Sequence, residues 1–464
     1  MRRLQYSFIA ALAASAALAE VDWTASVIAV NEGTESDPVA LATEVVSSGE
    51  LHVGKNAAGA LAIVSGGSFS NMAAGKKTCV GSAQTGWLSV QGGSLETRFL
   101  YVGDAGDGTL LVNGESSSVK ADRTLVLGNS AGTTGFLEVS GGGSVTITRE
   151  VTVGASGFGA MNLLNGAFAG RGFTVGSGAS STGIVTVCSP STVSISENYS
   201  VTVGAEGNGT LRLAGGAFSP KNSRMSLIVR QNETAMGLVS GWGSISHGGS
   251  SSQRSHIENN GVIAADGSDD EGGAAERTLL FGSQNDPFRN NIENDSTNGW
   301  YAVNKGLLTL PHSSTGLPPA GDSGVCTWGE AEDDAAIDLV NSARVTLIAI
   351  SSSSGISAFT GHLYAADRSD VPALPGGAAA VGVWSFDIDG LYETADFEFR
   401  YDHVKAPKGV KLYQLGSDGE TWTKLEAESF ADYRVKVSGI PRADASRMFA
   451  AVAAAPSGLA VFVR

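Results

Sequence analysis

Several side-chain groupings in this chain have spacings associated with chemistry, and each can be held against what that chemistry demands. Gly321-Asp322-Ser323-Gly324 has the form of a serine-protease nucleophile loop. That nucleophile works only with a histidine base and a buried carboxylate in hydrogen-bond reach. Val325 follows it and the surrounding pattern is wrong for such a fold, so an ordinary turn is expected. Asp387-Ile388-Asp389-Gly390, with Glu398 at the twelfth position, imitates the two ends of a calcium-binding loop. The loop also needs a ligand at its fifth position and glycine at its sixth, where the chain has Leu391 and Tyr392. Asp104 and Asp107 share the turn Gly103 to Gly108, but comparable turns elsewhere carry Ser, Ala or Asn. Solvated turn carboxylates are the expectation there.

Further candidates thin out quickly. His52, His247, His256, His312, His362 and His403 show no metal-ligand spacing. Cys79, Cys188 and Cys326 are three and far apart, which reads as free thiols and not as a disulfide framework. Polysaccharide-cleaving sites need paired carboxylates or a basic residue beside calcium ligands, and Glu138 and Arg212 stand isolated among Ser, Thr and Asn. What remains is the pair Trp300 and Tyr301, aromatic rings able to stack on a sugar. No catalytic, metal or cofactor-binding residue is predicted. Calcium is the nearest cofactor, and only through the incomplete patterns above.

The elements that would position these residues are strands. Gly accounts for 62 of 464 residues, nearly twice the usual share of about 7%, and charged residues are only 16%. The phrase apolar-x-Val-Gly, a Gly/Ser/Ala-rich turn, then Leu-x-Val-x-Gly-Gly recurs along the chain. The first residue of the Gly-Gly pair falls at Gly66, Gly92, Gly114, Gly141, Asn165, Ser189, Gly215 and Gly241, an interval of about 25 residues that marks a repeat architecture. Within each copy the flanking positions are apolar, as in Leu88/Val90, Leu110/Val112 and Leu137/Val139, while the middle ones are mostly polar. A period of two with one apolar face is a half-buried strand. A third strand, such as Val145-Thr146-Ile147 or Val193-Ser194-Ile195, completes a three-sided coil. One coil cannot bury its own inner face, so the coils must stack.

The predicted fold is all-β: a right-handed parallel β-helix of about eight 25-residue coils followed by an antiparallel β-sandwich. Arg2 and Arg3, the apolar stretch from Phe8 to Ala19 and the Ala17-Leu18-Ala19 end read as a signal peptide over 1–19. An N-terminal cap is expected over 20–50, β-solenoid repeats over 51–250, irregular final coils and a cap over 251–320, and the sandwich over 321–464, where alternating strands and the Asp418-Gly419 hairpin turn appear. No later segment suggests a transmembrane helix. The formal net charge of −16 argues against nucleic acid and anionic membranes as partners.

The Val-Gly-x-x-Gly-x-Gly-x-Leu-x-Val-x-Gly-Gly phrase, over roughly residues 51 to 245, resembles the passenger repeats of bacterial autotransporter-like adhesins. The resemblance implies a β-helix displayed on the bacterial outer surface or secreted. Extracellular glycans or cell-surface components are the expected partners. The functional expectation is a structural or adhesive scaffold without catalytic activity. The alternative is a polysaccharide-binding or polysaccharide-degrading β-helix protein, with a site near the junction at 250 to 320.

Overall fold

The computed structural model describes residues 21–195, 200–220, 226–230, 232, 235–245, 255–266, 278–281, 292–294, 300–305, 307–311, 326–329, 344–351, 355–364, 371–375, 380–391, 393–400, 406–430 and 434–454; between 292 and 364 the description is of the backbone. The signal-peptide reading of 1–19 therefore lies outside the described residues.

The repeat folds as a parallel β-solenoid of about nine turns over 27–245, followed by antiparallel sheets. Each turn has three strands, and each strand bonds to its equivalents one turn above and below. The face that opens with the Gly-x-Leu-x-Val segment runs from Gly59–Val64 through Gly86–Gln91, Gly108–Asn113, Thr134–Ser140 and Phe158–Leu164 to Thr182–Cys188, all in unbroken parallel register. Leu61, Leu88, Leu110, Leu137, Met161 and Val185 align as one column, and each is fully buried. The face after the Gly-Gly pair stacks Phe69, Leu95, Val119, Val145, Phe168 and Val193. The face ending in Val-Gly stacks Val53, Val80, Val102, Leu127, Val153 and Val175. The residues between inward ones, such as Leu111, Glu138, Asn162 and Thr186, are half-buried because neighbouring turns about 4.8 Å away shield their flanks.

The Val-Gly corner explains two of the recurrent glycines. Gly103 has φ +75°, and a Cβ there would lie 2.4 Å from the Thr134 carbonyl oxygen of the next turn. Gly108, at the start of the following strand, would put a Cβ 2.2 Å from the Val80 oxygen. Only glycine combines left-handed backbone with that approach. At the next corner, Asn165 with φ 65° occupies the slot that Gly141 and Gly215 fill elsewhere, a conformation Asn tolerates best among the other residues.

Parallel pairing begins earlier and ends later than the clear repeats. Val27–Val30 pairs with Glu50–Val53, and Val39–Leu41 with Gly59–Val64. Beyond 245, Ser255–Asn259, Val262–Asp266 and Thr278–Phe281 continue the three ladders, followed by Ile292–Asn294, Trp300–Lys305 and Leu307–Pro311. Leu307–Pro311 then pairs antiparallel with Gly355–Tyr364. The solenoid's last strand is thereby the first strand of an antiparallel run that passes to Ala380–Leu391, Phe449–Ala453, Val410–Leu415 and Trp422–Lys424. A second, five-stranded antiparallel sheet holds Cys326–Gly329, Arg344–Ser351, Thr394–Arg400, Arg434–Pro441 and Glu428–Phe430. Aromatic rings join the two sheets: Trp384 meets Phe399 at 5.2 Å between centroids, and Phe449 meets Phe397 and Phe399 at 5.2 and 5.6 Å.

Candidate functional site

One hydrogen-bonded chain resembles a nucleophile-base-acid arrangement. His52 shares a 2.7 Å hydrogen bond between Nδ1 and the Ser82 hydroxyl, and its Nε2 lies 3.1 Å from Glu50 Oε2. Burial pushes the imidazole pKa below its usual value, against the opposing pull of Glu50. A hydroxyl nucleophile also needs amide donors aimed at the oxyanion it creates. The amides beside Ser82 are already engaged: Ala83 N and Gln84 N donate to the Gly54 carbonyl at 3.0 and 2.9 Å. The chain of bonds therefore works as a staple between two turns. Cys79, in register with His52, donates its thiol to Asp104 Oδ2 at 3.4 Å, and burial raises its pKa well above the usual thiol value. A thiol held in that form is not a nucleophile.

Asp104 and Asp107 have structural duties that the sequence did not reveal. Asp104 accepts from Asn129 Nδ2 at 2.8 Å and pairs with Lys77 Nζ at 3.6 Å. Asp107 Oδ1 accepts the Thr134 amide at 2.8 Å. Each binds an adjacent turn of the solenoid. Among the described residues no group of three His, Cys, Asp or Glu is placed to hold a metal. Asp387-Ile388-Asp389-Gly390 lies within the strand Ala380–Leu391, paired antiparallel along 355–364, and so is not a ligand loop. Trp300 stands in register with Val262 and Tyr301 with Ile263; their side chains, and the Gly321-Asp322-Ser323-Gly324 turn, lie outside the described residues.

The feature with the character of a binding site is a column of cations at the corner leading into the Val-Gly face. Register fixes it. Phe99 pairs with Lys77 and with Thr124, Thr124 with Glu150, and Glu150 with Gly172. The residues immediately preceding these are Lys76, Arg98, Arg123, Arg149 and Arg171, so five successive turns carry a cation at one corner. Arg123, Arg149 and Arg171 line an open groove of about 530 Å³ with Asp122, Thr146, Thr148, Ala169 and Gly170.

The electrostatics of this corner are unbalanced. Asp122 Oδ2 approaches Arg123 Nε at 3.8 Å, with both groups partly exposed, a pairing worth at most about 1 kcal/mol. Arg149 is exposed and has no ion-pair partner among the described residues. Arg98 Nε is buried without a hydrogen-bond partner, a condition that costs on the order of 1 kcal/mol or more. Cations stacked one per turn repel each other by a comparable amount.

The sequence reading passed over this column, although the signal is present. Each cation stands five residues before the glycine of its Val-Gly pair: Lys76 before Gly81, Arg98 before Gly103, Arg123 before Gly128, Arg149 before Gly154 and Arg171 before Gly176. Comparison of the chain with protein-family models, with curated proteins and with solved structures finds no match.

Proposed function

We propose that this chain is a non-catalytic scaffold of the bacterial exterior, secreted or displayed on the cell surface, in which the solenoid is a rigid spacer with adhesive capacity. The observation that carries the reading is the solenoid's construction: uninterrupted parallel ladders over a fully buried aliphatic interior, with polar outer positions and turn carboxylates used to join neighbouring turns. Such a body holds its shape without a ligand and presents long, regular faces. The basic, then apolar N-terminal segment and the autotransporter-like repeat phrase support export. Among the described residues no helix is long and apolar enough to cross a membrane.

Two measurements test this. Incubation with a panel of neutral and acidic polysaccharides should release no reducing or unsaturated ends; robust turnover abolished by substitution near Trp300 and Tyr301 would overturn the reading in favour of a polysaccharide-degrading protein. Protease shaving of intact bacteria expressing the full chain should remove it from the cell surface or find it in the medium, and full protection would count against exterior display.

A further inference from the structure

The cation column repeats one positive side chain per turn along a single corner. The corner after the Gly-Gly pair holds its turns together with uncharged groups: Ser117 Oγ donates to Asn113 O and accepts the Gly92 amide, and Ser191 Oγ accepts the Gly166 amide. At the cation corner the same task falls to the backbone, where the Arg171 and Gly172 amides both donate to the Arg149 carbonyl at 3.1 and 3.2 Å, and to Thr148, whose hydroxyl bonds the Asp122 carbonyl. The bonds that hold this corner leave the exposed Arg149 without an ion-pair partner among the described residues. The cations stand at one corner of a chain whose net charge is −16, and Arg123, Arg149 and Arg171 share a groove that crosses successive turns.

We propose that Arg98, Arg123, Arg149 and Arg171 bind a linear acidic polysaccharide, a polyuronate, laid along the solenoid axis with carboxylates meeting guanidiniums turn by turn. The proposal rests on the scaffold reading and names its adhesive partner. A guanidinium presents a planar fork that matches a carboxylate in two parallel hydrogen bonds. Stacked turns repeat that fork about every 4.8 Å, so a polymer with regularly spaced charges can engage several at once and gain from multivalency. The exposed Arg149, without an ion-pair partner among the described residues, supplies donors that an anion would satisfy. A nucleic-acid duplex fits less well: it carries one charge per about 1.7 Å, far denser than the column. The exposed Thr146 hydroxyl at the groove suits the uncharged part of a sugar.

The test uses the full chain and measures binding to polygalacturonate, to its methyl ester, to a sulfated glycan and to single-stranded DNA. The wild-type chain should bind polygalacturonate, lose affinity as salt rises, and bind the methyl ester at least about tenfold more weakly. The variant Arg123→Gln/Arg149→Gln/Arg171→Gln should lose about tenfold or more in affinity. A control with the same charge change on exposed lysines, Lys408→Gln/Lys411→Gln/Lys424→Gln, should stay within about twofold. Should the triple variant misfold by circular dichroism, Arg149→Gln alone, at an exposed and unpaired position, should still weaken binding about two- to threefold, with Arg149→Lys recovering part of it. Absence of wild-type binding, equal binding of the methyl ester, unchanged affinity in the arginine variants, or tighter binding of the sulfated glycan or the DNA would each overturn the proposal. Product release in these incubations would instead overturn the scaffold reading, and leaves the affinity comparison between variants to be judged as stated.

Discussion

The solenoid and the C-terminal sheets solve one problem, burying strands, by different means. In the solenoid, each inward column is built from like residues at one register position, as with Leu61, Leu88, Leu110 and Leu137. The core is aliphatic for most of its length, and each turn touches only its neighbours. Where aromatics enter it, they too stack between adjacent turns, as Phe168 does with Phe173 and Phe173 with Phe218, at 5.7 and 5.9 Å. In the C-terminal sheets, Trp384, Phe397, Phe399 and Phe449 come from three non-repeating strands, two consecutive and one about fifty residues later, and converge on one point. Stability is distributed along the first region and concentrated in the second.

The sharpest way to break this comparison is at the aromatic centre. Phe399→Ala should cost about 3 to 5 kcal/mol and melt the antiparallel sheets as a unit, while solenoid amides keep their hydrogen-exchange protection. Leu110→Ala, a fully buried column position, should cost about 2 to 4 kcal/mol. Its effect should stay local, with exchange rising in the turns carrying Leu88 and Leu137 and remaining unchanged near Phe449. Loss of protection throughout the chain would show that the solenoid unfolds all at once. Ser117→Ala removes the link between Gly92 and Asn113 and should cost about 1 to 2 kcal/mol, read as a lower midpoint in urea denaturation.

The smallest effect concerns pH. His52 has its pKa lowered from 6.5 by burial, so the unfolded chain binds its proton more tightly than the folded one. Its contribution to stability is therefore complete above about pH 6.5 and declines as pH falls from there towards the folded value. Thermal melts of the wild type and of His52→Gln at pH 7.5 and 5.5 should show a smaller pH-dependent loss in the variant. Equal losses would show that the buried imidazole is not the sensitive group.

Much of the solenoid was legible because its physics is local and repeated: inward Leu and Val at a period of two, and glycine wherever a Cβ would strike the next turn. The cation column was illegible for a reason that lies in the repeat. Counted from the Gly-Gly pair, Arg98, Arg123, Arg149 and Arg171 fall at irregular offsets, because the corner varies in length. Arg98 alone spans a corner that takes Asp122 and Arg123 one turn later, a register shift between Ala121 and Thr124. Counted back from the Val-Gly glycine the alignment is perfect, since that glycine is fixed by contact with the neighbouring turn. The parts of Asp104 and Asp107 were hidden similarly: a turn carboxylate in sequence gives no sign of the amide or amine waiting one turn away. The aromatic centre of the C-terminal sheets could be expected as a core, but not as those particular pairs, because non-repeating strands carry no periodic signal of who meets whom.

The strand pair Leu307–Pro311 with Gly355–Tyr364 has a mechanical consequence. It joins the solenoid to the C-terminal sheets by a row of hydrogen bonds instead of a slack peptide tether. Tension applied at one end of the molecule reaches the other through those bonds, which share the load when sheared along the strands and yield one by one when peeled. A body anchored through its C-terminal sheets would thus transmit pull from a gripped solenoid face as a stiff lever, and its point of failure under load would depend on the direction of the pull.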